Sequence, residues 1–176
     1  MKERVEVMLT AEEISKRIDE LGAEISKKYA GEQVELVCVL KGGIFTLVEL
    51  AKRLTIPVTM SFMDVSSYGD ALESSGSIKI LRDLDEDIAG KNVLLVEDII
   101  DSGRTLSHLK ERLIQRNPKS FEICTLLTKP SRRVVEMDVE YIGFEIPDAF
   151  VIGCGLDYKQ RYRNLDYIGI MHLEEE

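Results

Sequence analysis

No apolar run in this sequence approaches the roughly 20 residues that a membrane-spanning helix needs. The charged start, Met1-Lys2-Glu3-Arg4, does not read as a signal peptide. Cysteine is scarce. Cys38, Cys124 and Cys154 form no Cys-x-x-Cys pair, are odd in number, and lie in apolar or glycine-containing runs. That pattern argues against a disulfide framework or a zinc ligand set and implies free thiols in a reducing cytoplasm. Positive charge is also in deficit: 23 Lys and Arg face 32 Asp and Glu, for a formal net charge of −9. Nucleic acid is therefore not expected as a main partner, because phosphate backbones demand basic patches. A small anionic ligand is not excluded, since it responds to local N–H groups and metal ions. The two histidines, His108 and His172, have no evident partner in the sequence and are given no catalytic role. Neither an internal repeat nor a low-complexity tract divides the chain.

What is present is the material of one globular domain of 176 residues. Thr10-Ala11-Glu12-Glu13 reads as a capping box, and Ile14, Ile18, Leu21 and Ile25 give the helix after it one apolar face. Val34–Leu40, Pro57–Val65, Val93–Val96 and Phe121–Leu127 are apolar runs of strand length. Helical patterns lie between several of them, at 44–54 and from Leu106 to the Asn117-Pro118 stop. This alternation predicts an α/β fold with a mainly parallel twisted sheet flanked by helices.

Three strand ends then deliver polar residues to one rim, where open parallel sheets place their ligands. Lys41-Gly42-Gly43 follows the first run; it reads as a tight turn or as a backbone approach to a phosphate. Glu97-Asp98-Ile99-Ile100-Asp101-Ser102-Gly103-Arg104-Thr105 follows the central run. Its paired acids suit a diol, a metal ion or both. Its hydroxyls and glycine, placed at a helix start, suit one anion. Asp101 reads as a helix N-cap on position alone. Lys129-Pro130 ends the fourth run. The stretch 66–77 is the least core-like and reads as a lid or a solvated hairpin tip.

Val-Glu-Asp-Ile-Ile-Asp-Ser-Gly-Arg-Thr-Leu, residues 96–106, resembles the phosphoribosyl-pyrophosphate motif of the type I phosphoribosyltransferases. Leu40-Lys41-Gly42-Gly43, Lys129-Pro130, Phe144-Glu145-Ile146-Pro147-Asp148, Phe150-Val151 and Gly155-Leu156-Asp157-Tyr158 are similar to the hypoxanthine-guanine branch of that family. The resemblance runs from about residue 36 to 167, in family order. It implies one domain over 1–176: a core near 34–130, a small hood built from the chain termini (1–10 and 139–176) and the lid at 66–77. It implies a Mg2+-dependent transfer of 5-phosphoribosyl to hypoxanthine or guanine. It also implies a homodimer or homotetramer in the cytoplasm, with small-molecule substrates and neither nucleic acid nor membrane as partner. A non-catalytic regulator that senses phosphoribosyl pyrophosphate, and a xanthine-selective transferase, are the alternative readings.

The implied roles follow the matched positions. Glu97 and Asp98 grip the ribose hydroxyls, and Ser102, Gly103, Arg104 and Thr105 take the 5′-phosphate. Asp101 exchanges a proton with the purine. Lys41, Gly42 and Arg163 meet the pyrophosphate, and relatives can carry a non-proline cis peptide near Lys41. Lys129 reads the purine 6-oxo group, Phe150 stacks on the ring, and Val151 offers backbone groups to its edge. Asp157 assists at the purine and, with Glu97 and Asp98, holds the metal. Ser66, Ser67 and Tyr68 begin the lid. The sequence departs from many relatives at Arg104, where they have Lys, at Cys154, often aromatic in them, and in the more basic Lys159-Gln160-Arg161.

Overall fold

The computed structural model describes residues 2–67 and 78–174. Strand β1 (Lys2–Leu9) leads into helix α1 (Ala11–Lys28), and the capping box is present: the Glu13 amide donates to Thr10 Oγ1 at 3.2 Å, and the Thr10 amide to Glu13 Oε2 at 2.8 Å. Then follow β2 (Val34–Val39), α2 (Gly43–Ala51), β3 (Val58–Ser67), β4 (Ile78–Arg82), β5 (Asn92–Ile100), α3 (Arg104–Ile114), β6 (Ser120–Thr128) and β7 (Tyr141–Glu145). The short β8 (Val151–Ile152) and β9 (Ile168–Glu174) close the chain.

Six strands form one sheet in the order β4-β3-β2-β5-β6-β7. All its pairings are parallel except β3 with β4. Consecutive residues of the inner strands serve opposite faces. Leu36, Leu94 and Leu126 pack with Ile14, Leu21, Ile25 and Leu47 from α1 and α2. Val37, Leu95 and Ile123 pack with Leu109 and Leu113 of α3. Burial on both faces is why these strands read as unbroken apolar runs rather than as alternating ones.

Two details differ from the expected pattern. Among the described residues the step from β3 to β5 carries no helix but the edge strand β4, buried at Ile78 and exposed at Lys79, Leu81 and Arg82. Strand β5 also runs on past its acids to Ile100, so Glu97 and Asp98 lie inside the strand rather than in a loop. The termini build a second, antiparallel sheet, β1-β9-β8. Within 139–176 the first strand, β7, belongs to the large sheet through its pairing with β6. Of the expected lid, Ser66 and Ser67 close β3, and the part from Tyr68 to Ser77 lies outside the described residues. Among the described residues no helix is long and apolar enough to cross a membrane, and the three cysteines are free thiols.

Candidate active site

The carboxyl ends of β2, β5 and β6 converge because the three strands are parallel and adjacent. At the end of β2 the Leu40–Lys41 peptide is cis. Gly42 follows, and its backbone runs hard against both β5 and the hood. A Cβ there would lie 1.8 Å from Asp98 Oδ2 and 3.1 Å from the Gly155 carbonyl oxygen. The contact is reciprocal. A Cβ on Gly155, whose φ is +98°, would lie 2.1 Å from the Gly42 carbonyl oxygen. Only paired glycines allow this approach.

Glu97 and Asp98 are charged groups in the wrong surroundings for charge. Burial raises the Glu97 carboxyl well above its ordinary range, and the neighbouring Asp98 adds to the effect. Burial also raises Asp98, against the pull of the Ile99 amide, which donates to Oδ1 at 2.7 Å, and of the Arg163 guanidinium. The buried carboxylates at the other end of the sheet behave oppositely. Burial raises Glu35, but hydroxyls of Ser61 and Thr59 and the Lys91 ammonium outweigh it and the net shift is downward. Glu122 is likewise lowered on balance, by Lys28 and by Tyr29 and Tyr141, whose hydroxyls donate at 2.7 and 2.9 Å. Those two acids are satisfied by the fold. Glu97 and Asp98 instead keep a net upward shift, the setting in which hydroxyl donors or a cation would favour the charged form.

Beyond β5 the chain lines a cavity of about 210 Å³ with Glu97, Asp101, Ser102, Gly103, Thr105 and Leu106. Gly103 caps α3 with φ +81° and no side-chain hydrogen bond, so Asp101 is not the N-cap that its position suggests. The Ser102 carbonyl accepts from Val134 N at 3.0 Å, which ties this loop to the chain after β6. Arg104 is the first residue of α3. A larger and mainly apolar cavity of about 550 Å³ lies elsewhere, between α1, α2 and residues 164–166. It brings together none of the polar residues of this rim.

The hood supplies the opposite wall. Arg163 reaches the Gly155 carbonyl at 2.6 Å, Asp157 Oδ1 at 2.9 Å and Gln160 Oε1 at 3.1 Å. Lys41 Nζ meets the same Gln160 oxygen at 3.3 Å. Gln160 thus joins two cations, a role not legible in the sequence: three non-glycine residues, Lys159, Gln160 itself and Tyr162, take positive φ to place it. The basic character of the segment does not crowd Arg163, because Arg161 turns away to pair with Glu3 of β1. Asp157, through Arg163 and the Gln160 amide at 2.8 Å, belongs with Lys41 in this group and makes no contact with Lys129.

At the other end Lys129 is only 7% exposed, yet its ammonium lies between two carboxylates: Asp101 Oδ2 at 3.8 Å and Asp148 Oδ1 at 3.6 Å. Arg132, which the sequence did not single out, contacts the same pair. Phe150 is 54% exposed and makes an edge contact with Tyr158, ring centroids 5.9 Å apart. Its carbonyl accepts from Met171 N at 2.9 Å, and Val151 is buried in β8. Among the described residues no cluster of three or more His, Cys, Asp or Glu is gathered as a metal cage.

Comparison with known proteins gives the family and the fold. The family model for the phosphoribosyl transferase domain matches residues 5–159. A hypoxanthine phosphoribosyltransferase of Escherichia coli strain K12 is 52% identical over 178 aligned positions, covering all of both chains. A hypoxanthine-guanine phosphoribosyltransferase of Mycobacterium avium is 49% identical, covering 94% of this chain and 84% of its own. The crystal structure of a hypoxanthine phosphoribosyltransferase from Staphylococcus aureus superposes with a TM-score of 0.92 at 45% identity, over 95% of this chain and 91% of the other.

Proposed function

This chain belongs to the phosphoribosyltransferase family, and on that premise we propose that it is a purine-salvage enzyme. It transfers 5-phosphoribosyl from phosphoribosyl pyrophosphate to hypoxanthine, guanine or both, giving IMP or GMP and pyrophosphate. One observation carries the choice of base: the buried Lys129 ammonium 3.8 Å from Asp101. A purine seated beside both presents its 6-oxo group to a donor and its ring N7 to a carboxylate.

The chemistry follows from the residues. A purine nitrogen forms the new bond to the anomeric carbon as the bond to pyrophosphate breaks, and the purine must lose a proton. Asp101 takes that proton from N7. Glu97 and Asp98 hold the ribose hydroxyls. Ser102, Gly103, Arg104 and Thr105 surround the 5′-phosphate at the start of α3. Lys41, Gly42 and Arg163 receive the pyrophosphate. Phe150 lies on the purine face, and Val151 meets its edge. Keeping water from the activated sugar is the task assigned to the lid, which Ser66 and Ser67 begin.

Carboxylates raised by burial fit Mg2+, which takes one or two carboxylates and fills its shell with water and substrate oxygens. Glu97, Asp98 and Asp157 are the residues that would serve it, and when bound it offsets negative charge on the leaving group. The free thiols suit a reducing cytoplasm. The assembly proposed is a homodimer or homotetramer.

Competition among hypoxanthine, guanine, xanthine and adenine, with phosphoribosyl pyrophosphate and Mg2+, tests the reading. Hypoxanthine or guanine should be consumed first and adenine last; preference for adenine, or no transfer to any base, refutes it. A second expectation concerns the glycine contact. Gly42→Ala places a methyl on Asp98 and should lower kcat/KM for phosphoribosyl pyrophosphate about 10- to 100-fold, the cost of moving a binding group by about 1 Å. Steady-state kinetics with that substrate varied check this; wild-type values would mean the close approach has no part in binding.

A further inference from the structure

One cation at the purine end has no task in the scheme above. Arg132 ends a single 3-10 turn, Pro130–Arg132, that is fixed on both sides. Before it, the Lys129 amide donates to the Ile100 carbonyl at 3.0 Å; after it, Val134 N donates to the Ser102 carbonyl at 3.0 Å. The neighbouring Arg133 is occupied elsewhere, donating to Thr128 Oγ1 at 2.6 Å. The Arg132 side chain is half exposed, yet it is directed inward. Its Nε donates to Asp101 Oδ1 at 2.8 Å and its Nη1 to Asp148 Oδ2 at 3.4 Å. Lys129 faces the other oxygen of each carboxylate. Two cations and two carboxylates therefore alternate around one ring.

A 6-oxo purine claims the Lys129 ammonium, and Asp101 then keeps one cationic partner from the ring. We propose that Arg132 is the positioning residue for Asp101. It fixes Oδ1 through a directed hydrogen bond, so that Oδ2 faces the purine nitrogen once Lys129 has been taken by the base. Asp148 anchors the other arm of the guanidinium and holds it in place. A planar fork suits this task better than an ammonium, because it contacts two carboxylates without rotating. An exposed ion pair of this kind adds little stability; its value lies in orientation, where a displacement of 1 Å is costly. The inference rests on the proposed role of Asp101 as the proton acceptor.

The test compares R132Q, R132K, D101N and the double variant D101N/R132Q with the wild-type enzyme, using hypoxanthine, phosphoribosyl pyrophosphate and Mg2+. R132Q should lower kcat about 10- to 100-fold and leave KM for phosphoribosyl pyrophosphate within about twofold, since that substrate is held by other residues. R132K, which keeps the charge but not the fork, should recover only part of the lost kcat. The double variant should be no slower than D101N, because residues acting as one unit are not additive. Because Arg132 is half exposed, each variant should melt within a few degrees of wild type. Unchanged kcat in R132Q, a loss confined to KM for phosphoribosyl pyrophosphate, or a double variant slower than D101N by the full R132Q factor overturns the inference. A wild-type chain that transfers to no purine would overturn the proposed function instead, and the two failures are thereby distinct.

Discussion

Asp101→Asn is expected to lower turnover by about 10²- to 10⁴-fold, the usual contribution of a positioned proton-transfer group, while phosphoribosyl pyrophosphate still binds. The substitution keeps size and shape but removes the ability to accept a proton. It also changes how the side chain meets its neighbours. Both Asp101 oxygens face donors, Arg132 Nε at 2.8 Å and Lys129 Nζ at 3.8 Å. An asparagine has one oxygen, so its amide must turn one N–H group toward a cation. Stability should change little, because Asp101 is 44% exposed and its ion pairs are only partly shielded. Binding should survive, because the loop proposed to take the 5′-phosphate, Glu97 and Asp98, and the Lys41–Arg163 wall are built without this carboxylate. Calorimetric titration with phosphoribosyl pyrophosphate and single-turnover kinetics with hypoxanthine read the two quantities separately. Turnover within about threefold of wild type would remove Asp101 from the proton path; loss of phosphoribosyl pyrophosphate binding would place it in that subsite instead.

The parts of the site that were legible in the sequence are those set by local rules. The buried run Val93–Val96 signalled a central parallel strand because a strand covered on both faces must be apolar throughout. Thr10 and Glu13 signalled a helix start because a capping box has a fixed spacing. Lys41, Glu97–Thr105 and Lys129 were brought to one rim by topology, since three parallel neighbours end together. What the sequence could not carry are contacts between distant segments with no periodicity. The Gly42–Gly155 approach joins the end of β2 to the hood. Gln160 reaches Lys41 and Arg163 only because non-glycine residues around it adopt the left-handed region, which composition does not foretell. Arg132 belongs to no motif of the sequence. Its meaning comes from Asp148, sixteen residues on, and Asp101, thirty-one residues back. Strand β4 mixes three apolar residues with Lys79 and Arg82, too short a pattern to say whether it pairs or where.

Lys129→Ala should change which base the enzyme accepts. The ammonium is almost fully buried and faces the Asp101 oxygen that Arg132 leaves free, where the proposed function seats the 6-oxo group. A hydrogen bond from a charged donor contributes about 1.5–3 kcal/mol, so kcat/KM for hypoxanthine should fall about 10- to 100-fold. Adenine presents a 6-amino group, itself a donor, and meets the wild-type ammonium donor to donor. Without the ammonium that conflict disappears, and adenine should lose nothing or gain. The hypoxanthine-to-adenine ratio should therefore collapse by more than the hypoxanthine loss alone. The alanine also leaves a gap and deprives two carboxylates of a shared cation, with Arg132 their remaining partner in the ring. Lys129→Met, which fills the volume without the charge, separates these effects. If base selectivity follows the lost donor, Met and Ala should give the same ratio; if it follows packing, Met should restore it. A ratio unchanged in both variants would show that the 6-position is read by some other group, and the pairing of Lys129 with Asp101 would then be an electrostatic feature of the free site rather than its means of choosing a base.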